Sequence, residues 1–264
     1  MKKMIQPEGY RISYTLEGTG VPLVLLHGFA EDHTWWNSWK DRLQGCRLII
    51  PDLPGFGESE PLPPGWAMRD LALAVSRILV AEEVTSAVVV GHSMGGYVAL
   101  QLARHEPGQV AGLGLFHSTA LADTPEKREG RLRSVEFIRQ HGTIPYLKAL
   151  YAGLVTDAFQ KNHPQCMDQW LEKGARFGAQ ALTQGLLAMR NREDSLDLLQ
   201  QTKIPVMILG GSQDQVVPAD TLPAQALLPA VASYVLLPGT AHMGMVESPE
   251  AAAAAVQQFM ALCR

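Results

Sequence analysis

The sequence predicts an α/β fold built on a mostly parallel, doubly wound sheet. Three observations predict it. Short continuous apolar runs recur along the chain, segments of helical spacing lie between them, and a Gly-x-Ser-x-Gly turn joins one run directly to a helix. Continuous apolar runs suit strands buried on both faces of a parallel sheet. Alternating strand and helix with right-handed crossovers gives the layered sheet.

The expected strands are residues 10–16, 23–26, 47–50, 87–90, 110–116, 204–209 and 232–237. Helices are expected between them. Residues 68–84 carry Leu71, Val75, Ile78 and Leu79 on one helical face, and 97–106 stops before Pro107. Helices at 219–228 and 249–262 close the chain, the last containing the strong helix formers of 251–255. The alternation breaks once. Residues 120–200 hold no convincing strand, only helix-like pieces at 125–141, 144–151, 165–177 and 179–190. The simplest expectation is a helical cap over 120–200, inserted after the sixth core strand, with the core in 1–119 and 201–264. Such a cap would cover the carboxyl edge of the sheet, where open α/β sheets bind ligands. A second helical domain with its own role is the other reading.

Composition narrows the function. The chain has 264 residues, 47% hydrophobic and 18% charged, with a formal net charge of −4. That suffices for one large α/β domain or two small ones. Near-neutral charge without a basic run argues against a nucleic-acid partner, and no apolar stretch approaches the roughly 20 residues of a membrane span. The first eight residues include lysines but no apolar run, so they do not read as a secretory signal. Cys46, Cys166 and Cys263 are too scattered for a metal or disulfide framework. The expectation from composition is a soluble cytoplasmic protein.

The most informative stretch is Gly91-His92-Ser93-Met94-Gly95, between the run 87–90 and a helix. This is the pattern of a nucleophile elbow. A serine there needs strained backbone angles, and its neighbours two residues away need glycine to avoid a Cβ clash. The following helix start supplies free N–H groups where an oxyanion would form. A glycine-rich turn with an incidental serine has the same pattern, so context decides.

Three more stretches supply it. Leu25-Leu26-His27-Gly28-Phe29 and Pro51-Asp52-Leu53-Pro54-Gly55-Phe56-Gly57 each follow a strand, and Leu209-Gly210-Gly211-Ser212-Gln213-Asp214 precedes Gly239-Thr240-Ala241-His242. In this order the four stretches resemble the α/β-hydrolase superfamily, specifically its capped, single-chain, esterase-like members. The resemblance spans residues 10–117 and 204–262 and fades across the expected cap.

The resemblance implies a Ser-His-Asp triad. Ser93 would be the nucleophile, His242 the base and Asp214 the acid that orients it. Asp123 is the alternative acid, and Asp52 is structural in similar proteins. The oxyanion hole would be the backbone N–H groups of Phe29 and Met94. Of the other histidines, His27 is expected to hold the oxyanion loop, His92 to point away from the site, and His117 to reach the pocket wall. Trp35, His117, Trp170 and Met189 are the expected substrate-pocket residues, although core packing accounts for each aromatic or methionine equally well. Trp35, Trp36 and Trp39 are expected to anchor a helix after the oxyanion loop. A cap arginine such as Arg133, Arg176, Arg190 or Arg192 facing a substrate carboxylate is less expected than a solvated charge.

The function implied is hydrolysis of carboxylic esters of small to medium acyl groups, needing no metal or organic cofactor. The same triad serves C–C hydrolases, lactonases, thioesterases and acyltransferases, and some proteins of this fold are small-molecule receptors with little turnover. Dehalogenases and epoxide hydrolases of the fold use an aspartate nucleophile, which Ser93 argues against.

Overall fold

The computed structural model describes residues 1–263; Arg264, the last residue of the expected core segment, lies outside them. The strands are β1 (Lys2–Ile5), β2 (Ile12–Glu17), β3 (Val21–Leu26), β4 (Cys46–Pro51), β5 (Ala87–His92), β6 (Val110–Phe116), β7 (Val206–Gly211) and β8 (Ala232–Leu237). They form one sheet in the order β1-β2-β4-β3-β5-β6-β7-β8. The pairs β1·β2 and β2·β4 are antiparallel, and every pair from β4·β3 to β7·β8 is parallel. The seven expected strands are all present, and β1 is one more.

The helices are α1 (Met68–Ala81), α2 (Met94–His105), α3 (Pro125–His141), α4 (Thr143–Ala152), α5 (Asp157–Asn162), α6 (Pro164–Gly174), α7 (Ala179–Asn191), α8 (Leu196–Gln201), α9 (Leu222–Ala226), α10 (Gly244–Glu247) and α11 (Pro249–Leu262). The helix α2 packs on β5 and β6 with α1 beside it, and α11 packs on β7 and β8. The strand residues Val88, Val89 and Val90 are fully buried, and each contributes about 1.5–3 kcal/mol by leaving water. Successive residues face opposite sides of the sheet. At the end of β5 this parity separates two neighbours: Gly91 meets α2, while His92 meets Trp36 and Phe116 on the other side.

Among the described residues no α-helix directly follows the oxyanion loop. The tryptophans lie instead in and beside two short 3₁₀ turns, His33–Trp36 and Lys40–Arg42. Trp36 and Trp39 pack on each other and on Phe116, and Trp39 Nε1 donates to the Pro249 carbonyl at the start of α11. Filling an interlayer gap with large rings does not require helical spacing. The segment between β6 and β7 is helical, as α3 to α8. Its first helix starts where Thr124 accepts the Lys127 N–H and Pro125 opens the turn, and it stops at Gly142 with φ +82°. Among the described residues no helix is long and apolar enough to cross a membrane.

Candidate active site

Ser93 sits between β5 and α2 with φ +50° and ψ −115°. An L-residue rarely adopts these angles, which cost about 1–3 kcal/mol and persist only where the surroundings enforce them. Here they do. The Ser93 N–H donates to the Phe116 carbonyl (3.0 Å), and Ser118 Oγ donates to the Ser93 carbonyl (2.7 Å). A Cβ at Gly91 would overlap the Gly95 backbone, and one at Gly95 would overlap the carbonyls of Leu26 and His27. The two glycines therefore let the elbow close against itself and against β3. Ser93 is only partly buried, unlike the residues on either side of it.

The loops after β7 and β8 bring Asp214 and His242 together, with His242 Nδ1 2.8 Å from Asp214 Oδ2. The carboxylate accepts there, so Nδ1 carries the proton. His242 Nε2 is buried and has no hydrogen-bond partner, which leaves its lone pair free. Asp214 is buried too. Burial alone would push its carboxyl up. The charge of His242 and hydrogen bonds from His117 and His242 outweigh that and hold it well below the usual carboxylate range. Its other oxygen, Oδ1, accepts the backbone N–H groups of Val216 (2.8 Å) and Val217 (2.9 Å).

Among the described residues, neither the Phe29 nor the Met94 backbone N–H donates to a protein acceptor. The loop carrying Phe29 is held at three points. His27 Nδ1 donates to the Gly28 carbonyl (2.8 Å) while its Nε2 accepts the Leu53 N–H (2.9 Å). That pairing needs a neutral ring, and burial holds the His27 imidazole below its ordinary range. The Gly28 N–H donates to Glu31 Oε2 (2.7 Å), and a Cβ on Gly28 would come within 2.8 Å of both Glu31 and His92. Tyr151 Oη, from α4, donates to the Ala30 carbonyl (2.6 Å).

Sequence reasoning missed Glu31. This buried carboxylate also accepts from His92 Nδ1 (3.1 Å), and His92 Nε2 donates to the His242 carbonyl (3.0 Å). Both ring nitrogens of His92 thus face acceptors, so the ring is an imidazolium paired with Glu31. Burial works against both charges. Each partner's charge more than offsets that, so the His92 imidazole is raised and the Glu31 carboxyl lowered. One chain of hydrogen bonds joins the oxyanion loop, the end of β5 and the His242 loop. A glutamate three residues after Gly28 and a histidine just before Ser93 were the available signals, but sequence does not show that they meet.

The remaining expected residues divide. Trp35 and Trp170 are buried against each other, ring centroids 4.8 Å apart, and both pack on Tyr151. Met189 is buried near the end of α7, and its carbonyl accepts from Arg192 (2.7 Å). His117 is fully buried, with Nδ1 3.0 Å from Asp214 Oδ2. Asp123 is bound by Arg131 and by Arg192, whose Nη1 lies 2.7 Å from Oδ1, and it makes no bond to a histidine among the described residues. Arg192 also lies 3.8 Å over the Tyr97 ring. His117, Asp214 and His242 offer ligand atoms within 4.8 Å of one another. Both imidazoles direct Nδ1 at the carboxylate, which is the geometry of a hydrogen-bonded group rather than of ligands spread around an ion.

The chain is 31% identical over 249 residues to the dihydrolipoyllysine-residue acetyltransferase component of an acetoin cleaving system from Cupriavidus necator. That match covers 91% of this chain but 64% of the relative, so the chain spans less than two thirds of that protein's length. It is 26% identical to lipase 1 of Psychrobacter immobilis, covering 94% of this chain and 80% of the lipase. Among solved structures, a thermophilic esterase from Thermogutta terrifontis superposes with a TM-score of 0.92 at 29% identity, covering 100% of this chain and 99% of the esterase. The alpha/beta hydrolase family matches residues 23–255, which take in the parallel strands from β3 to β8, the inserted helices and all the loops described above, and the chain belongs to that family.

Proposed function

We propose that this protein is a serine hydrolase that cleaves carboxylic esters of small to medium acyl groups. The observation that carries this reading is the environment of His242. Its Nδ1 is bound by Asp214, its Nε2 lone pair is unpartnered, and its carbonyl is bound by the residue preceding a strained serine. In this reading Ser93 Oγ attacks the ester carbonyl as its proton passes to His242 Nε2. The N–H groups of Phe29 and Met94 stabilise the oxyanion. The C–O bond to the alcohol breaks as His242 returns the proton to the leaving oxygen. Water, deprotonated by His242, then releases the acid and restores Ser93. Asp214 keeps the imidazole in the right tautomer and offsets its positive charge.

We read the helices of 120–200 as a cap. Three contacts support this. Tyr146 packs edge-on to Phe29, Tyr151 holds Ala30, and the Leu154 carbonyl accepts the His242 N–H (2.9 Å). The lipase and esterase among the similar proteins support ester hydrolysis. The acetyltransferase component among them supports a second reading, in which the same acyl-enzyme passes its acyl group to an acceptor other than water.

A panel of p-nitrophenyl esters of increasing acyl length, with lactones, thioesters and added thiol acceptors, tests both readings against Ser93→Ala. Turnover of short and medium esters that depends on Ser93 is expected. Binding without turnover would point to a receptor instead, and release of acyl-thiol faster than of free acid would favour transfer.

A further inference from the structure

His117 directly follows β6 in a left-handed conformation, φ +49°, unusual for a residue with a side chain. Its backbone N–H is fastened to the Leu209 carbonyl (2.7 Å), and its ring is completely buried. Nδ1 lies 3.0 Å from Asp214 Oδ2, the same oxygen that takes His242 Nδ1 at 2.8 Å. Asp214 therefore accepts four donors, two backbone N–H groups on Oδ1 and two imidazoles on Oδ2. His117 Nε2 has no partner and rests against Gly244, where a Cβ would overlap it. A ring with a carboxylate at Nδ1 and nothing at Nε2 is neutral and protonated at Nδ1.

The titratable groups around this ring are Asp214 after β7, His242 after β8 (ring centroids 5.8 Å apart) and His92 at the end of β5 (6.3 Å). Burial, with a smaller contribution from the two histidines, pushes the His117 imidazole down to about 4 against the pull of Asp214. An imidazolium at this position would compete with His242 for the same oxygen. A neutral donor only shares it.

We propose that His117 is a positioning residue that acts through Asp214: by giving its Nδ1–H to Oδ2, it limits how strongly the carboxylate draws a proton onto His242. This rests on the triad reading above. A carboxylate that loses one of its donors keeps more charge for the remaining one, so His242 would hold its proton to higher pH. Removing the His117 donor should raise the acid limb of kcat/KM by about 0.5–1 pH unit, a three- to tenfold loss of rate below the limb.

The test is the pH profile of kcat/KM on p-nitrophenyl butyrate for the wild type, His117→Leu and His117→Asn, with Ser93→Ala as control. Leucine keeps bulk without a donor, and the asparagine Nδ2 reproduces the position of the histidine Nδ1. The expected result is an upward shift in the Leu variant and a limb restored toward wild type in the Asn variant. A Leu profile that coincides with wild type, or an Asn profile shifted as far as Leu, overturns the proposal. Turnover retained by Ser93→Ala would instead overturn the triad reading on which it stands. Where circular dichroism shows that the Leu variant does not fold, histidine ¹⁵N spectra of the wild type decide. The proposal requires a neutral, Nδ1-protonated His117 at neutral pH and down toward its depressed pKa of about 4. An Nε2–H tautomer or an imidazolium at pH 7 rejects it.

Discussion

His92 Nε2 lies 3.0 Å from the carbonyl oxygen of His242, so the residue immediately before Ser93 holds the main chain of the proposed base. The other nitrogen of the same ring is paired with Glu31, which in turn fixes Gly28 in the oxyanion loop. Two buried charges thus set the spacing of three segments of the candidate site. A buried ion pair is weak evidence for stability, but removing one partner typically costs about 3–5 kcal/mol.

Glu31→Gln should therefore destabilise the protein by about 3 kcal/mol or more near neutral pH. The pH dependence has a definite sign. The Glu31 carboxyl is lowered, so its contribution is present above its ordinary 4.5 and is lost as pH falls through the lowered value. The His92 imidazole is raised, so its contribution is present below its ordinary 6.5 and is lost as pH rises through the raised value. Urea unfolding at a series of pH values should give the largest difference between wild type and variant between those two ordinary values. A difference independent of pH from 4 to 9 would mean the pair is not ionised.

Ser93→Ala should lower ester turnover by about 10³- to 10⁶-fold while keeping the fold. A phosphonate or sulfonyl fluoride should label Ser93 alone in the wild type, as read by mass spectrometry. The strained angles give a companion expectation. Ser93→Gly should be equally inactive yet more stable than Ser93→Ala, by about 1 kcal/mol, because glycine accepts φ +50° without a Cβ penalty. Equal melting temperatures for the two variants would show that the turn is not strained.

The two candidate acids separate cleanly. Asp214→Asn should cut kcat by about 10⁴-fold, as loss of the orienting carboxylate does in other triads. Asp123→Asn should leave kcat within a few-fold of wild type and lower the unfolding free energy instead, because Arg131 and Arg192 lose their shared anion. The reverse ranking in paired kinetic and unfolding measurements would reassign the acid.

His117 makes a separate prediction for stability. Its imidazole is held down at about 4, so between pH 6.5 and 4 the unfolded chain takes up a proton there that the folded chain refuses. Stability should fall with decreasing pH across that window by about 1.4 kcal/mol per unit from this group. His27, lowered by burial, acts in the same direction, so the observable is the difference between wild type and His117→Asn. Parallel stability curves across the window would rule out a buried neutral ring.

The parts of the site legible in the sequence were those that local backbone geometry dictates. Gly91 and Gly95 around Ser93 are required by a turn five residues long, and Asp214 and His242 each follow a strand end. The pairing of Glu31 with His92 was not legible, because it depends on which face of the sheet the last residue of β5 takes and on how the loop after β3 folds back. His117 shows the same limit: the sequence places it at the end of a strand beside the site, but only the structure shows its ring behind Asp214. The strand β1 escaped notice because four residues, Lys2–Ile5, carry too short an alternation and pair antiparallel at the edge. The short helices α5 and α8, six residues each, span too few turns for a periodic signal.

Tyr151 lies in the last turn of α4 and Leu154 three residues on, just beyond it. One donates to the oxyanion loop at Ala30, and the other accepts from the backbone of His242. Any displacement that carries this end of α4 away from the sheet breaks both bonds at once, loosening the oxyanion loop and the base loop together. Under the proposed function this interlocks entry and chemistry: an arrangement opened on this side is one in which two of the three segments of the candidate site have lost a restraint. Those segments regain their full set of restraints only when Tyr151 and Leu154 are seated again on Ala30 and His242.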